Sequence, residues 1–292
     1  MKQLLTAVIA VLATHSAIAG VKIENWVSPG GARVFFVESR VLPILDVQVD
    51  FAAGSMFDPP GKSGTAALTR SVLGLGAGKL DETAIAEQMA DIGATLGGGA
   101  DTDRANVAVR TLAAAEKRDA ALGVLRTVLH APRFEAAIFE REKARTVAGL
   151  KEAMTRPDSI AGKAFWAAMY PDHPYGRAAT PESVAALTRD ELVAHHARYY
   201  TAANASITLV GDISRGEAEK IAEAIAAGLP KGEPATLPPA PNVAAGKAVK
   251  LGFHAPPGDL AIGSAGRQPV TVAVQDAEGR TVRAGRYAVT LA

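Results

Sequence analysis

The sequence predicts an α+β domain, and three observations carry the prediction. Strand-like stretches, with a two-residue period or β-branched and aromatic enrichment, gather in residues 21–51 and recur at 94–112 and 205–210. Amphipathic stretches of helical period lie among them and dominate residues 117–200. Capping boxes and a Thr-Pro helix start punctuate the second half of the chain.

The elements follow in order. Val21–Val27 and Arg33–Glu38 form a strand pair around the turn Pro29-Gly30-Gly31. Ile44–Phe51 alternates, with Val47, Val49 and Phe51 on one side and Asp46, Gln48 and Asp50 on the other. The aligned carboxylates Asp46 and Asp50 are read as a solvated sheet face rather than a metal or acid–base pair. A loop with paired prolines, Ala52–Lys62, leads into a short helix, Gly64–Leu73. Asp81–Ile92 is a second helix with Ile85, Met89 and Ile92 on one stripe, stopped by Gly93. Two strands follow, Ala94–Ala100 and Arg104–Leu112. Gly97, Gly98 and Gly99 lie within the first, and such glycines mark a bulge or the close approach of another backbone.

Helices are then predicted at Lys117–His130, Glu135–Thr155, Ser159–Tyr170 and Arg189–Tyr200, the last opened by the box Thr188–Glu191. Ala205–Val210 is a strand, and Ser214–Glu217 opens one more helix with Ile221, Ile225 and Leu229 in line. The domain division expected is a signal peptide at 1–19, a domain at 20–229, a Pro-rich linker at 230–250 and a short C-terminal segment at 251–292. In that segment Pro269–Gln275 and Tyr287–Leu291 alternate about a turn at Ala277-Glu278-Gly279, too little chain for a second core.

Composition narrows the function. The chain has 292 residues, 48% of them hydrophobic, enough for a sizeable core. Net charge is +1, without a basic face, so no nucleic acid is expected as partner. No cysteine is present, which excludes a disulfide framework, a thiol nucleophile and Cys-ligated zinc. Lys2, the apolar run Leu4–Ala13 and Ala17-Ile18-Ala19 fit a cleaved signal sequence, so a periplasmic or secreted protein is expected. The run is shorter than the ~20 residues that span a bilayer, and no membrane span is expected after cleavage.

Chemistry-bearing residues are few. His195 and His196 are adjacent on a helix, so their side chains diverge by about 100° and cannot chelate one ion. His130, His173 and His254 stand alone, and His173 reads as a loop residue. Asp101-Thr102-Asp103 lacks the further ligands of a calcium loop. No Gly-x-Ser-x-Gly turn or phosphate-binding glycine loop occurs.

The element order, together with FAAGSMFDPPGKSG (51–64), IGATLGGGADT (92–102), YPDHPYGR (170–177) and ESVAALTRDELVAHHARYYTAANASITLVGD (182–212), resembles the pitrilysin or insulinase family of zinc peptidases over residues 23–230. The resemblance implies a mostly antiparallel sheet with helices packed on one face. It also implies a helical His-x-x-Glu-His motif, whose histidines hold zinc and whose glutamate takes a proton from the metal-bound water. In this chain those positions are Ala67, Arg70 and Ser71. The later glutamate ligand falls near Ala148-Gly149, with Glu152 close by. Ala67 and Ser71 are expected to pack the helix, and Arg70 to pair with a carboxylate or turn to solvent. Ser71 has no evident base and is not read as a nucleophile.

The resemblance therefore implies a catalytically silent subunit. No metal or cofactor is expected in this chain, and zinc only in a catalytic sister subunit. The chain would form one wall of a peptide chamber. Leu96, Gly97, Gly98, Gly99 and Ala100 would be the edge strand that an extended peptide or unfolded polypeptide meets. The family's second unit, with its substrate-holding arginine and tyrosine, finds no match after Gly258. Exposed apolar surface and poor solubility of the isolated chain are expected. The alternatives are a structural or peptide-binding module of an envelope assembly and, last, an active metalloendopeptidase.

Overall fold

The computed structural model describes residues 21–241 and, beyond them, the backbone of three strands. The predicted leader at 1–19, the turn at 277–279 and the alternation at 287–291 lie outside the described residues.

A six-stranded sheet forms the frame. Its strands are β1 (Glu24–Val27), β2 (Arg33–Glu38), β3 (Ile44–Phe51), β6 (Thr95–Gly97), β7 (Ala105–Leu112) and β8 (Ala205–Gly211), in the spatial order β1-β2-β8-β3-β7-β6. Only β2 and β8 run parallel, and every other neighbouring pair is antiparallel. Strand β8 arrives late in the chain and inserts between β2 and β3, which closes the sheet's centre after the helices have formed a connection. Two short strands, β4 (Gly76–Ala77) and β5 (Leu80–Asp81), pair separately. The three strands beyond residue 241, β9 (Lys250–His254), β10 (Thr271–Gln275) and β11 (Thr281–Ala284), form an antiparallel sheet in the order β11-β10-β9.

The period-two pattern decides which side of the large sheet is covered. Leu45, Val47, Val49 and Phe51 of β3 are fully buried, as are Ile207 and Leu209 of β8 and Ala105 and Val107 of β7. The partners in register therefore share one face, and the helices pack on it. The helices are α1 (Thr65–Leu73), α2 (Glu82–Asp91), α3 (Ala115–His130), α4 (Ala136–Ala153), α5 (Pro157–Met169), α6 (Pro181–Ala185), α7 (Arg189–Tyr199) and α8 (Arg215–Ala226). From α3, Leu122, Leu125 and Leu129 enter the core, and from α8, Ala218, Ala222 and Ile225. Each large aliphatic side chain buried in this way contributes about 1.5–3 kcal/mol.

The capping signals hold. Thr188 and Glu191 cap α7 reciprocally, and Ser214 and Glu217 do the same for α8. Thr180, followed by Pro181 at the first helical position, caps α6 with Ser183 as its reciprocal partner.

One expectation changes. Asp50 is buried, and Nε2 of Gln48 donates to both of its carboxylate oxygens at 3.0 Å. Asp46 stays half-exposed and pairs with Arg110 across the sheet at 2.7 Å. Asp50 sits on a central strand opposite Asn106 and Ser206, and Pro234, Ala235 and Leu237 of the Pro-rich stretch line a cavity with it. The first residues of the Pro-rich stretch are hydrogen-bonded to the domain. Ala202 N–H donates to Pro230 O at 2.8 Å, Ala203 N–H to Lys231 O at 3.1 Å, and Ala235 N–H to Asn204 Oδ1 at 3.1 Å.

Helix α5 is the exception to the burial rule. None of its residues is buried, and Ile160, Phe165, Trp166 and Met169 are all exposed. That apolar helix is the surface on which exposed hydrophobic area gathers.

Candidate functional site

The site is built on α1, and α1 begins under tight control. The buried carboxylate of Asp58 accepts from Gly64 N–H at 2.7 Å and Ala66 N–H at 2.8 Å, so it occupies two donors that the helix start leaves open. Burial pushes the Asp58 carboxyl up to about 6, against the opposing pull of those N–H groups and of Arg177. Gly64 takes a left-handed φ of 107°, and a Cβ there would lie 2.7 Å from Val184. Paired prolines and a glycine set the turn between Asp58 and the helix. The helix ends at Gly74, whose N–H donates to Val72 O.

One face of α1 enters the core through Ala66, Leu68, Thr69, Val72 and Leu73. The other carries the motif positions. Ala67 and Ser71 are exposed there, one turn apart, so they do not pack the helix as expected. Ser71 Oγ donates to Ala67 O at 2.9 Å.

Arg70 departs from expectation as well. It pairs with no carboxylate and, half-buried, turns to main-chain carbonyls instead. Its Nη2 donates to Gly97 O at 2.6 Å, and its Nε donates to Asn106 O in a short bond. Burial lowers its pKa from the usual arginine value.

The peptide-edge residues divide. Thr95–Gly97 is regular strand at the end of the sheet, with a strand neighbour on one side only. Leu96 faces Val109 and Gly97 faces Ala108. The ladder opens at Gly98 and Gly99 and closes once more at a single bridge, Ala100 to Ala105. In the opening, Asn106 N–H donates to Gly99 O at 2.8 Å, and Gly99 N–H donates to the Asn106 side chain at 3.3 Å. Gly98 has a φ of +125°, and a Cβ there would collide with Asn106 O and lie 2.6 Å from the Arg70 guanidinium. Glycine is thus demanded at 98 by the fold itself. At Gly97 and Gly99 an added Cβ would meet nothing within 4 Å.

Between α1, β6 and α4 lies a cleft of about 330 Å³ lined by Arg70, Ser71, Leu96, Gly98, Glu142 and Arg145 among others. From α4 it is Glu142 and Arg145 that reach this cleft, not Glu152, which lies exposed near the helix end. Glu142 was missed in the sequence. Its one signal was an acid embedded among arginines at 141 and 145 on a helix. It is 3% exposed and held by Arg141 at 3.0 Å and Arg145 at 3.3 Å, with Arg141 also bound to Glu82 at 2.8 Å.

This donor set does not fit zinc. A methyl group, a guanidinium committed to two carbonyls and a serine hydroxyl stand at the motif positions, and the nearby carboxylates are held by arginine. Among the described residues no group of three His, Asp or Glu side chains could hold an ion.

His195, His196 and His173 make local packing and turn contacts. His195 Nε2 lies 3.2 Å from Ala53 O, while the His196 ring stacks on Tyr200 at 4.7 Å. Burial lowers both to about 4, so both are neutral near pH 7. His173 Nδ1 accepts from Tyr175 N–H at 3.2 Å and caps a turn. Tyr175 donates to Asp103 at 2.7 Å, and Asp101 Oδ1 accepts two N–H groups of its own turn. These aspartates hold loops together.

Comparison with known proteins agrees with this architecture. A solved structure described as a peptidase M16 inactive domain from Pseudomonas fluorescens is 37% identical, with a TM-score of 0.73 over 76% of this chain and 54% of the other. A protease from Helicobacter pylori superposes with a TM-score of 0.67 over 77% of this chain and 54% of the other, at 18% identity. The periplasmic protease PqqL of Escherichia coli does so with 0.66 over 74% and 25%, at 15% identity. An uncharacterized zinc protease of Rickettsia bellii is 23% identical over 191 residues, which are 64% of this chain and 45% of that protein. The chain thus spans about half the length of the first relatives it matches. Among the described residues no helix is long and apolar enough to cross a membrane. Residues 33–181 match the family Insulinase (Peptidase family M16), and residues 186–258 match the Peptidase M16 inactive domain. With half its length in the first match alone, the chain belongs to the insulinase family of peptidases, M16.

Proposed function

We propose that this chain is a catalytically silent M16 subunit that works outside the cytoplasm and forms one wall of a peptide chamber with a zinc-bearing sister chain. The observation that carries this reading is the exposed face of α1. By the resemblance, Ala67 and Ser71 stand on this helix where the family has its two histidine ligands, and Arg70 where it has its proton-accepting glutamate. The chain itself then holds no metal or cofactor, and bond cleavage belongs to the partner.

The peptide would be met by Leu96–Ala100. β6 ends the sheet, so an extended chain can add to it by main-chain hydrogen bonds. Gly97 and Gly99 favour this over a purely structural glycine run, because nothing in the domain fills the space beside them. Secretion is supported by the charged, apolar and small-residue order of residues 1–19 and by the periplasmic description of one structural relative. The division into a domain at 20–229, a linker and a C-terminal segment is kept in this reading, with the first residues of the linker docked.

The test is co-expression with a sister chain bearing His-x-x-Glu-His, followed by a peptide-cleavage assay with each subunit omitted. Activity is expected only with both present, and zinc only in the sister. Stoichiometric zinc and cleavage by this chain alone would overturn the reading, and an equally active sister without it would reduce the chain to a structural module.

A further inference from the structure

We infer that Arg70 is a positioning residue for the β6 edge, and that it holds the glycine-rich tip in shape where the β6–β7 ladder fails. The inference rests on the proposed reading that β6 receives a peptide.

Three observations combine. First, Arg70 reaches from α1 into the opening of the ladder and donates to an acceptor on each strand, Gly97 O of β6 and Asn106 O of β7. A guanidinium is planar and presents its donors in a fixed fork, so it sets the spacing between two acceptors as well as satisfying them. Second, the other ties of the tip are few: Asn106 N–H donates to Gly99 O at 2.8 Å, and one bridge joins Ala100 to Ala105. Gly99 N–H leans on the Asn106 side chain at 3.3 Å, and the run Gly97-Gly98-Gly99 has no side chains to pack. Glycine loses more conformational freedom on ordering than any other residue, so an unsupported tip of this kind would fray. Third, the fit is mutual. Gly98 leaves the room that the guanidinium occupies, since a Cβ at 98 would come within 2.6 Å of Nη2.

The side chain at the place of the family's catalytic glutamate thus has a different task here. An edge that adds a peptide strand must already be extended, because ordering it at the moment of binding costs affinity. Arg70 supplies that order from the cleft side of the strand. It leaves the Cβ directions of Gly97 and Gly99 open.

The test uses the full chain and the variants Arg70→Met and Arg70→Lys. Amide hydrogen exchange is read at Gly99 and Asn106, with β3 and α2 as internal controls. Binding of a fluorescein-labelled peptide of alternating apolar and polar residues is read alongside. In Arg70→Met the two amides are expected to exchange at least about tenfold faster while the controls hold, with peptide affinity falling in step. Lysine keeps the charge with a single donor nitrogen, so Arg70→Lys is expected to lie between wild type and methionine in both readouts. Unchanged exchange in Arg70→Met overturns the inference, as does a loss of peptide affinity without faster exchange. Failure of the wild-type chain to bind the peptide is a separate result, which sinks the peptide-edge reading and the positioning role with it.

Discussion

Helices α1 and α7 pack against each other and divide a peptidase site's requirements between them. On α1, where the resemblance puts the family's metal motif, the side chains carry no zinc chemistry. Ala67 and Ser71 face an open cleft, one turn apart, with no ligand atom suited to zinc. On α7 the chemistry is present and the place is wrong. His195 and His196 carry imidazoles, but one points to Ala53 O and the other into an aromatic stack. The difference teaches that residue type identifies a site only together with exposure and shared direction. Histidine is the commonest metal ligand among side chains, yet here burial turns both into neutral core groups.

The largest effect is expected from breaking the support of α1. Asp58→Ala removes the acceptor of two buried N–H groups, Gly64 and Ala66, and should cost roughly 4 kcal/mol in chemical denaturation. A cost under about 1 kcal/mol would mean that the helix start re-pairs elsewhere, and that α1 is held chiefly by its core face.

Acidification tests α7. Both histidines have folded values near 4, below the unfolded 6.5. The unfolded chain binds their protons first, so their contribution is complete above about pH 6.5 and is lost as pH falls towards 4. Asp58, raised to about 6 from 3.8, has the opposite sign and gains stability as pH falls from about 6 towards 3.8. Two groups outweigh one, and a net loss of roughly 3 kcal/mol is expected between pH 7 and pH 5. Urea unfolding at the two values, repeated in His195→Phe, would show whether burial of these rings sets the slope.

A smaller contrast lies within the glycine run. Gly98→Ala should destabilise by about 1–3 kcal/mol through its positive φ and the contact with Asn106 and Arg70. Gly97→Ala should change thermal stability by less than about 0.5 kcal/mol, since no atom lies in its way. Loss of peptide binding in Gly97→Ala at unchanged stability would separate the edge's function from its fold.

Much of this frame was legible in the chain. The alternation of Val47, Val49 and Phe51 gave the covered face of the sheet, and Thr188 with Glu191 gave the start of α7, because both signals are local. The insertion of β8 parallel to β2, the burial of Asp50 and the docking of Pro230–Ala235 were not legible. Each depends on chain segments that lie far apart in sequence and meet only after folding. Arg70 shows the same limit. A sequence reports its charge and its helix, while its acceptors, Gly97 O and Asn106 O, are main-chain atoms that any residue would supply.

The docked stretch after residue 229 also has a mechanical meaning. Its hydrogen bonds run to Ala202, Ala203 and Asn204, the residues that lead directly into the central strand β8. A pull on the chain after residue 235 has to pass these bonds on its way to the sheet. The three bonds of the seam thus stand between the downstream chain and the register of β8 between β2 and β3.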